Sequence, residues 1–171
     1  MNIILTGFMG TGKSVVAKKL AQELRMGYID TDKIIEDKEK CKIRKIFEER
    51  GENYFREIET KIIKEVSSLN NYVIATGGGV VLKEENIKAL RKKGFIIYLS
   101  ANPEVILKRT EKNEERPLLL NCKDPYKKIE EMLSFRKPYY EKANLKIDTS
   151  NLNPTEVVER IVKFFKKNED N

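Results

Sequence analysis

The chain has 171 residues, 40% apolar and 36% charged, which bounds it to one globular domain with a sizeable core. Its net charge is +7, but Lys and Arg are interleaved with Glu and Asp (KEEN, EKNEER, KNEDN), which argues against a nucleic-acid-binding stripe and for a mild field suited to anionic ligands. Two cysteines without any histidine rule against Cys/His metal sites, and no apolar run approaches the roughly 18 residues of a membrane span.

Asn2 to Thr6 reads as a buried strand. GFMGTGKS, residues 7 to 14, follows it and opens a helix over Lys13 to Met26 (Val16, Leu20, Leu24). Strand, glycine loop and helix together give G-x-x-x-x-G-K-[ST] its required context. Backbone N–H groups of such a loop point at phosphate oxygens. Lys13 is placed to reach β- and γ-phosphates and Ser14 to ligate Mg²⁺, so a nucleoside triphosphate, ATP, is the expected ligand.

Tyr28 to Asp30 is a short strand. Asp30 and Asp32 follow at a spacing of two, which on an extended segment puts both on one face. One would serve the metal and the other a hydroxyl; Asp32 as a plain helix cap is the simpler alternative. A helical region runs from Thr31 to about Leu69, with breaks expected near Cys41 and at Gly51. In it, Arg56 and Glu59 are spaced i, i+3, close enough to pair.

Tyr72 to Thr76 is the next strand. It ends in Gly77, Gly78 and Gly79, where a phosphate-loop enzyme ordinarily carries an Asp for Mg²⁺, so Asp30 is the candidate carboxylate instead. A helix follows over Lys83 to Lys93, a strand over Phe95 to Ser100, and a helix from Pro103 to about Thr110. Residues 111 to 123 read as a mobile loop containing Arg116. A helix from Pro125 to Lys142 carries Arg136; a strand over Leu145 to Asp148 and a helix over Pro154 to Lys167 complete the chain. Alternating strands and helices predict an α/β fold with a parallel sheet covered on both faces.

Taken together, these segments resemble the shikimate kinases: the phosphate loop at 7 to 14, D-x-D at 30 to 32, FR-x-x-E at 55 to 59, GGG at 77 to 79, RPLL at 116 to 119 and R-x-x-x-Y at 136 to 140. The resemblance covers essentially the whole chain. It implies a three-layer α/β/α kinase fold with a five-stranded parallel sheet, a substrate-binding helical region at 31 to 69 and a lid at 111 to 123. The implied reaction is transfer of the γ-phosphoryl of ATP to the 3-hydroxyl of shikimate.

On that resemblance, Asp32 orients the reacting hydroxyl and is a candidate base. Arg56, Arg136 and the three glycines bind the acceptor, with Glu59 holding Arg56. Gly10, Thr11, Gly12, Lys13, Ser14 and Val15 bind the nucleotide, Arg109 and Pro154 flank its adenine, and Arg116 meets the transferring phosphoryl. Ser14 and Asp30 hold Mg²⁺. Leu152 stands where many members carry a polar or basic residue that contacts the nucleotide, so it can pack on adenine but makes no side-chain hydrogen bond. The glycines are expected to be bare so that the sugar-like ring lies against their backbone. A cytoplasmic monomer that binds neither nucleic acid nor membrane is expected. Another small-molecule kinase, such as a gluconate or nucleoside-monophosphate kinase, a nucleic-acid-dependent ATPase and an inactive regulatory nucleotide-binding protein are the rivals.

Overall fold

The computed structural model describes residues 1–111 and 122–169. The elements run β1 (Asn2–Thr6), α1 (Lys13–Glu23), β2 (Gly27–Asp30), α2 (Thr31–Glu39), α3 (Ile43–Ser67), β3 (Tyr72–Ala75), a short 3₁₀ turn (Val80–Leu82), α4 (Glu84–Arg91), β4 (Gly94–Ser100), α5 (Pro103–Thr110), α6 (Pro125–Tyr140), β5 (Leu145–Asp148) and α7 (Pro154–Glu169). All five strands are parallel, in the order β2-β3-β1-β4-β5.

β1 is the centre of the sheet and is buried along its whole length, which is why it reads as an unbroken apolar run. The alternation of side chains along it divides the core in two. Ile4, level with Ile74 and Ile96 on its neighbours, packs beneath α3 and α4 against Ile58, Ile62 and Leu90. Ile3 and Leu5 point the other way, with Val73 and Ile97, onto Val16 and Leu20 of α1 and Val157 and Ile161 of α7. At roughly 25 cal/mol per Å² of apolar surface removed from water, these two layers are the main stabilising term.

Both predicted breaks in the 31 to 69 region are present. Lys40, after α2, takes a left-handed φ of 54°. Gly51 interrupts α3 with φ 82° and ψ 170°, a conformation that glycine adopts without penalty. The carboxyl ends of β1, β2 and β3 lie side by side, and open parallel sheets bind ligands at that edge. The predicted lid falls almost wholly outside the described residues, and Arg116 with it.

Candidate active site

The phosphate loop leaves β1 at Gly7 (φ 142°) and passes through Gly10 (φ 75°) and Gly12 (φ 89°). A Cβ on Gly7 would strike the Leu99 carbonyl oxygen, so this position is closed to other residues by space as well as by φ. Gly12 caps α1 without a side chain, leaving the first amides of that helix directed at the loop. Thr11 Oγ1 donates to the Phe8 carbonyl at 2.8 Å, and Lys13 Nζ donates to the same oxygen at 2.8 Å. Lys13 is thus folded over the loop. Val15 is exposed while Val16 is buried in the core.

Ser14 Oγ donates to Asp30 Oδ2 at 2.6 Å. The other oxygen, Asp30 Oδ1, accepts from the amides of Asp32 (3.1 Å) and Lys33 (3.4 Å) and so caps α2. This corrects one expectation and removes its simpler alternative. The two aspartates do not share an extended segment, because β2 ends at Asp30 and α2 begins at Thr31. The cap is Asp30, not Asp32. Tyr28, on the same strand face as Asp30, places its hydroxyl 3.5 Å from Oδ2, and burial together with the Asp30 charge pushes that phenol up to about 12. Among the described residues no cluster of three or more His, Cys, Asp or Glu side chains could cage a cation alone.

Beside this pair opens a cavity of about 290 Å³, lined by Asp30, Asp32, Arg56, Glu59, the three glycines and Arg136. Arg56 Nη1 donates to Glu59 Oε2 at 2.7 Å, and its Nη2 donates to Glu52 at 3.0 Å. The Glu59 side chain is 1% exposed. Burial raises its pKa, and the charges of Arg56, Arg136 and Lys83 oppose that rise. Arg136 is buried too, with its guanidinium over the Phe8 ring, 5.4 Å from the centroid. Among the described residues no carboxylate lies within ion-pairing distance of Arg136.

The triple glycine has a reason within the protein itself. A Cβ on Gly77 would crowd Asp32 Oδ1 (2.7 Å) and Glu59 Oε1 (2.9 Å), and one on Gly79 would overlap the Arg56 guanidinium. At Gly78 the nearest atoms are the Gly7 carbonyl oxygen (3.3 Å) and Arg136 Nη1 (3.5 Å). The bare backbone makes room for the protein's own charged side chains, which press against it from three elements.

Toward β5, Arg109 Nη1 donates to the Gly10 carbonyl (3.2 Å) and Thr149 Oγ1 (3.2 Å), and Nη2 donates to the Thr149 carbonyl (2.9 Å). It ties the phosphate loop to the turn before α7, where Pro154 begins the helix. Leu152 is half-buried and packs against the α1/α7 core layer. Among the described residues, the structure brings the predicted Ser14, Asp30, Asp32, Arg56, Gly77, Gly78, Gly79 and Arg136 to the wall of one cavity. Sequence reasoning gave no role to Phe8, Tyr28 or Tyr140. Tyr140 was visible only as the end of R-x-x-x-Y, and its hydroxyl donates to the Gly78 carbonyl at 2.5 Å.

A family model described as shikimate kinase matches residues 9–166. A shikimate kinase of Caldanaerobacter subterraneus subsp. tengcongensis is 49% identical, covering 97% of this chain and 96% of its own. Among solved structures, the chain is similar to shikimate kinase from Acinetobacter baumannii in complex with shikimate, with a TM-score of 0.94 and 35% identity over 98% of this chain and 93% of that one. Shikimate kinase from Aquifex aeolicus matches with a TM-score of 0.84 and 35% identity over 99% and 98% of the two chains.

Proposed function

The chain belongs to the shikimate kinase family, and from that premise we propose how its own residues divide the work. The reaction is ATP-dependent phosphorylation of the 3-hydroxyl of shikimate, giving shikimate 3-phosphate and ADP on the route to chorismate. The observation that carries the acceptor assignment is Arg136. A buried guanidinium without a carboxylate partner among the described residues is costly unless an anion meets it. A carboxylate-bearing acceptor supplies that anion, and Arg56 offers a second planar fork beside it.

Held by the two arginines and the glycine backbone, the acceptor turns its hydroxyl toward Asp32, which lines the cavity together with Met9 and Ser14 of the phosphate loop. The hydroxyl oxygen bonds the γ-phosphorus, the bond from that phosphorus to the β–γ bridging oxygen breaks, and the hydroxyl proton leaves toward Asp32. Phosphoryl transfer of this kind depends on alignment and charge neutralisation. Lys13 and the amides of Gly10 to Val15 hold the phosphates, Arg116 meets the transferring group, and Arg109 and Pro154 shape the adenine side.

Mg²⁺ fits the donor set. Ser14 and Asp30 offer two hard oxygens 2.6 Å apart beside the phosphate loop, and Mg²⁺ prefers few protein ligands alongside phosphate and water. When bound, it neutralises charge on the β- and γ-phosphates. Among the described residues no helix is long and apolar enough to cross a membrane, and a cytoplasmic monomer accords with this reading.

The test is ADP release with ATP and Mg²⁺ in the presence of shikimate, gluconate or nucleoside monophosphates. Stimulation by shikimate alone is expected. Stimulation by gluconate alone would overturn the acceptor assignment and leave the nucleotide site standing.

A further inference from the structure

Tyr140 ends α6, one helical turn beyond Arg136. It is 1% exposed, yet its hydroxyl is not buried idly: Oη donates to the Gly78 carbonyl at 2.5 Å. Its ring stacks on Tyr98 of β4, with centroids 4.8 Å apart and planes 10° apart. Tyr98 is level with Thr6, the last residue of β1 before the phosphate loop. Tyr140 thus joins α6, the glycine segment and the centre of the sheet at one point.

We propose that Tyr140 is a positioning residue for the acceptor, setting the direction of the Gly78–Gly79 peptide and the seat of Arg136. The inference rests on the shikimate kinase reading above. The peptide is trans, as all in the described chain are. In a trans peptide plane the carbonyl and the following N–H point in opposite directions. Fixing the Gly78 oxygen toward Tyr140 therefore turns the Gly79 N–H away from it. Glycine has little intrinsic preference among backbone conformations, so three in succession need an external restraint to present one donor direction. Among the described residues, that is the one hydrogen bond between Gly78 and α6.

Arg136 gains from the same contact. Its Nη1 lies 3.5 Å from where a Gly78 Cβ would be, so helix and glycine segment must keep a fixed separation. The positive charge of Arg136, one turn earlier on the same helix, also acts on the Tyr140 hydroxyl. Arg136 and Tyr140 thus both meet Gly78 from α6, the arginine by close approach and the tyrosine by a hydrogen bond. Phenylalanine at 140 would keep the stack on Tyr98 and remove the hydrogen bond to Gly78.

The experiment measures steady-state kinetics for both substrates, and melting temperatures, in the wild type, Tyr140→Phe and Ile161→Val. Ile161 is buried under the opposite face of the sheet and serves as a packing control. For Tyr140→Phe the shikimate KM should rise on the order of five- to tenfold, the range that loss of one buried hydrogen bond produces. Its ATP KM should stay within about twofold, while Ile161→Val should lower the melting temperature and leave both KM values unchanged. A Tyr140→Phe enzyme whose shikimate KM stays within about twofold, or whose two KM values rise together, would overturn the assignment. A wild type that releases no ADP with shikimate would instead overturn the function on which it rests.

Discussion

Ser14 and Asp30 meet through one carboxylate oxygen, at 2.6 Å, while the other oxygen of Asp30 caps α2. The phosphate loop and the acceptor-binding helices are therefore joined through a single side chain with two separable tasks. The cap needs an oxygen acceptor; the metal needs a charge.

Asparagine at position 30 separates them. Asn is about as good an N-cap as Asp, so Asp30→Asn should change stability by less than about 1 kcal/mol. The loss of charge beside Ser14 should raise the Mg²⁺ concentration for half-maximal rate on the order of tenfold. Asp30→Ala should add a loss of about 1 kcal/mol from the missing cap. Rates measured against free Mg²⁺, with thermal melts of each variant, check both parts. An unchanged Mg²⁺ requirement in Asp30→Asn would mean that the Asp30 charge does not serve the metal.

Gly79 has an ordinary φ of −95°, so an alanine there meets no backbone strain. Its Cβ would instead fall on the Arg56 guanidinium, which Glu59 and Glu52 hold from the other side. Gly79→Ala should therefore displace Arg56 and raise the shikimate KM by more than about tenfold, or roughly 1.4 kcal/mol. The ATP KM should stay near the wild-type value. Equal effects on the two substrates would point to a disturbed sheet edge and away from a displaced clamp.

Arg136 offers a sharper contrast. Its buried guanidinium rests on Phe8 and presents a planar fork to the cavity. Arg136→Lys keeps the charge and loses the fork, and a lysine ammonium is more strongly hydrated and costlier to bury. The shikimate KM should rise at least about tenfold in Arg136→Lys and more in Arg136→Ala, with kcat less affected. Steady-state kinetics on both variants decide it. A lysine variant with wild-type KM would show that charge alone holds the acceptor.

Much of this site was legible before any coordinates. β1 and β5 have the bounds that their short apolar runs suggest, and Gly51 breaks its helix as read. The i, i+3 spacing of Arg56 and Glu59 gave their pairing, because helical neighbours are fixed by local geometry alone. What failed or stayed hidden depends on distant segments. That Asp30 and not Asp32 caps α2 follows from where β2 stops, which is set by pairing with Tyr72 to Ala75. Leu152 faces the core because α7 packs against α1, a contact between chain ends. The glycines announced a close approach, but not that Asp32, Glu59, Arg56 and Arg136 are the groups that approach. Tyr140 could not be given a task, since its partner is 62 residues away.

Tyr140 also makes stability depend on alkaline pH. Burial pushes its phenol up to about 12, against the partial opposition of the Arg136 charge. In the unfolded chain the same group releases its proton near 10. Below pH 10 both states hold the proton and the contribution is intact. Between about 10 and 12 the unfolded state binds fewer protons than the folded one, so stability falls as pH rises. A two-unit difference corresponds to at most about 2 to 3 kcal/mol. Tyr28, Tyr98 and Tyr126 are raised as well and share this sign, so the wild type alone cannot isolate Tyr140. Tyr140→Phe can. Urea unfolding of both proteins from pH 9 to 11.5 should show the wild type losing stability faster, with the gap between them shifting toward the variant above pH 10. A gap that stays constant across that range would mean that the Tyr140 hydroxyl ionises in the fold as readily as in water, and that its bond to Gly78 does not hold the proton.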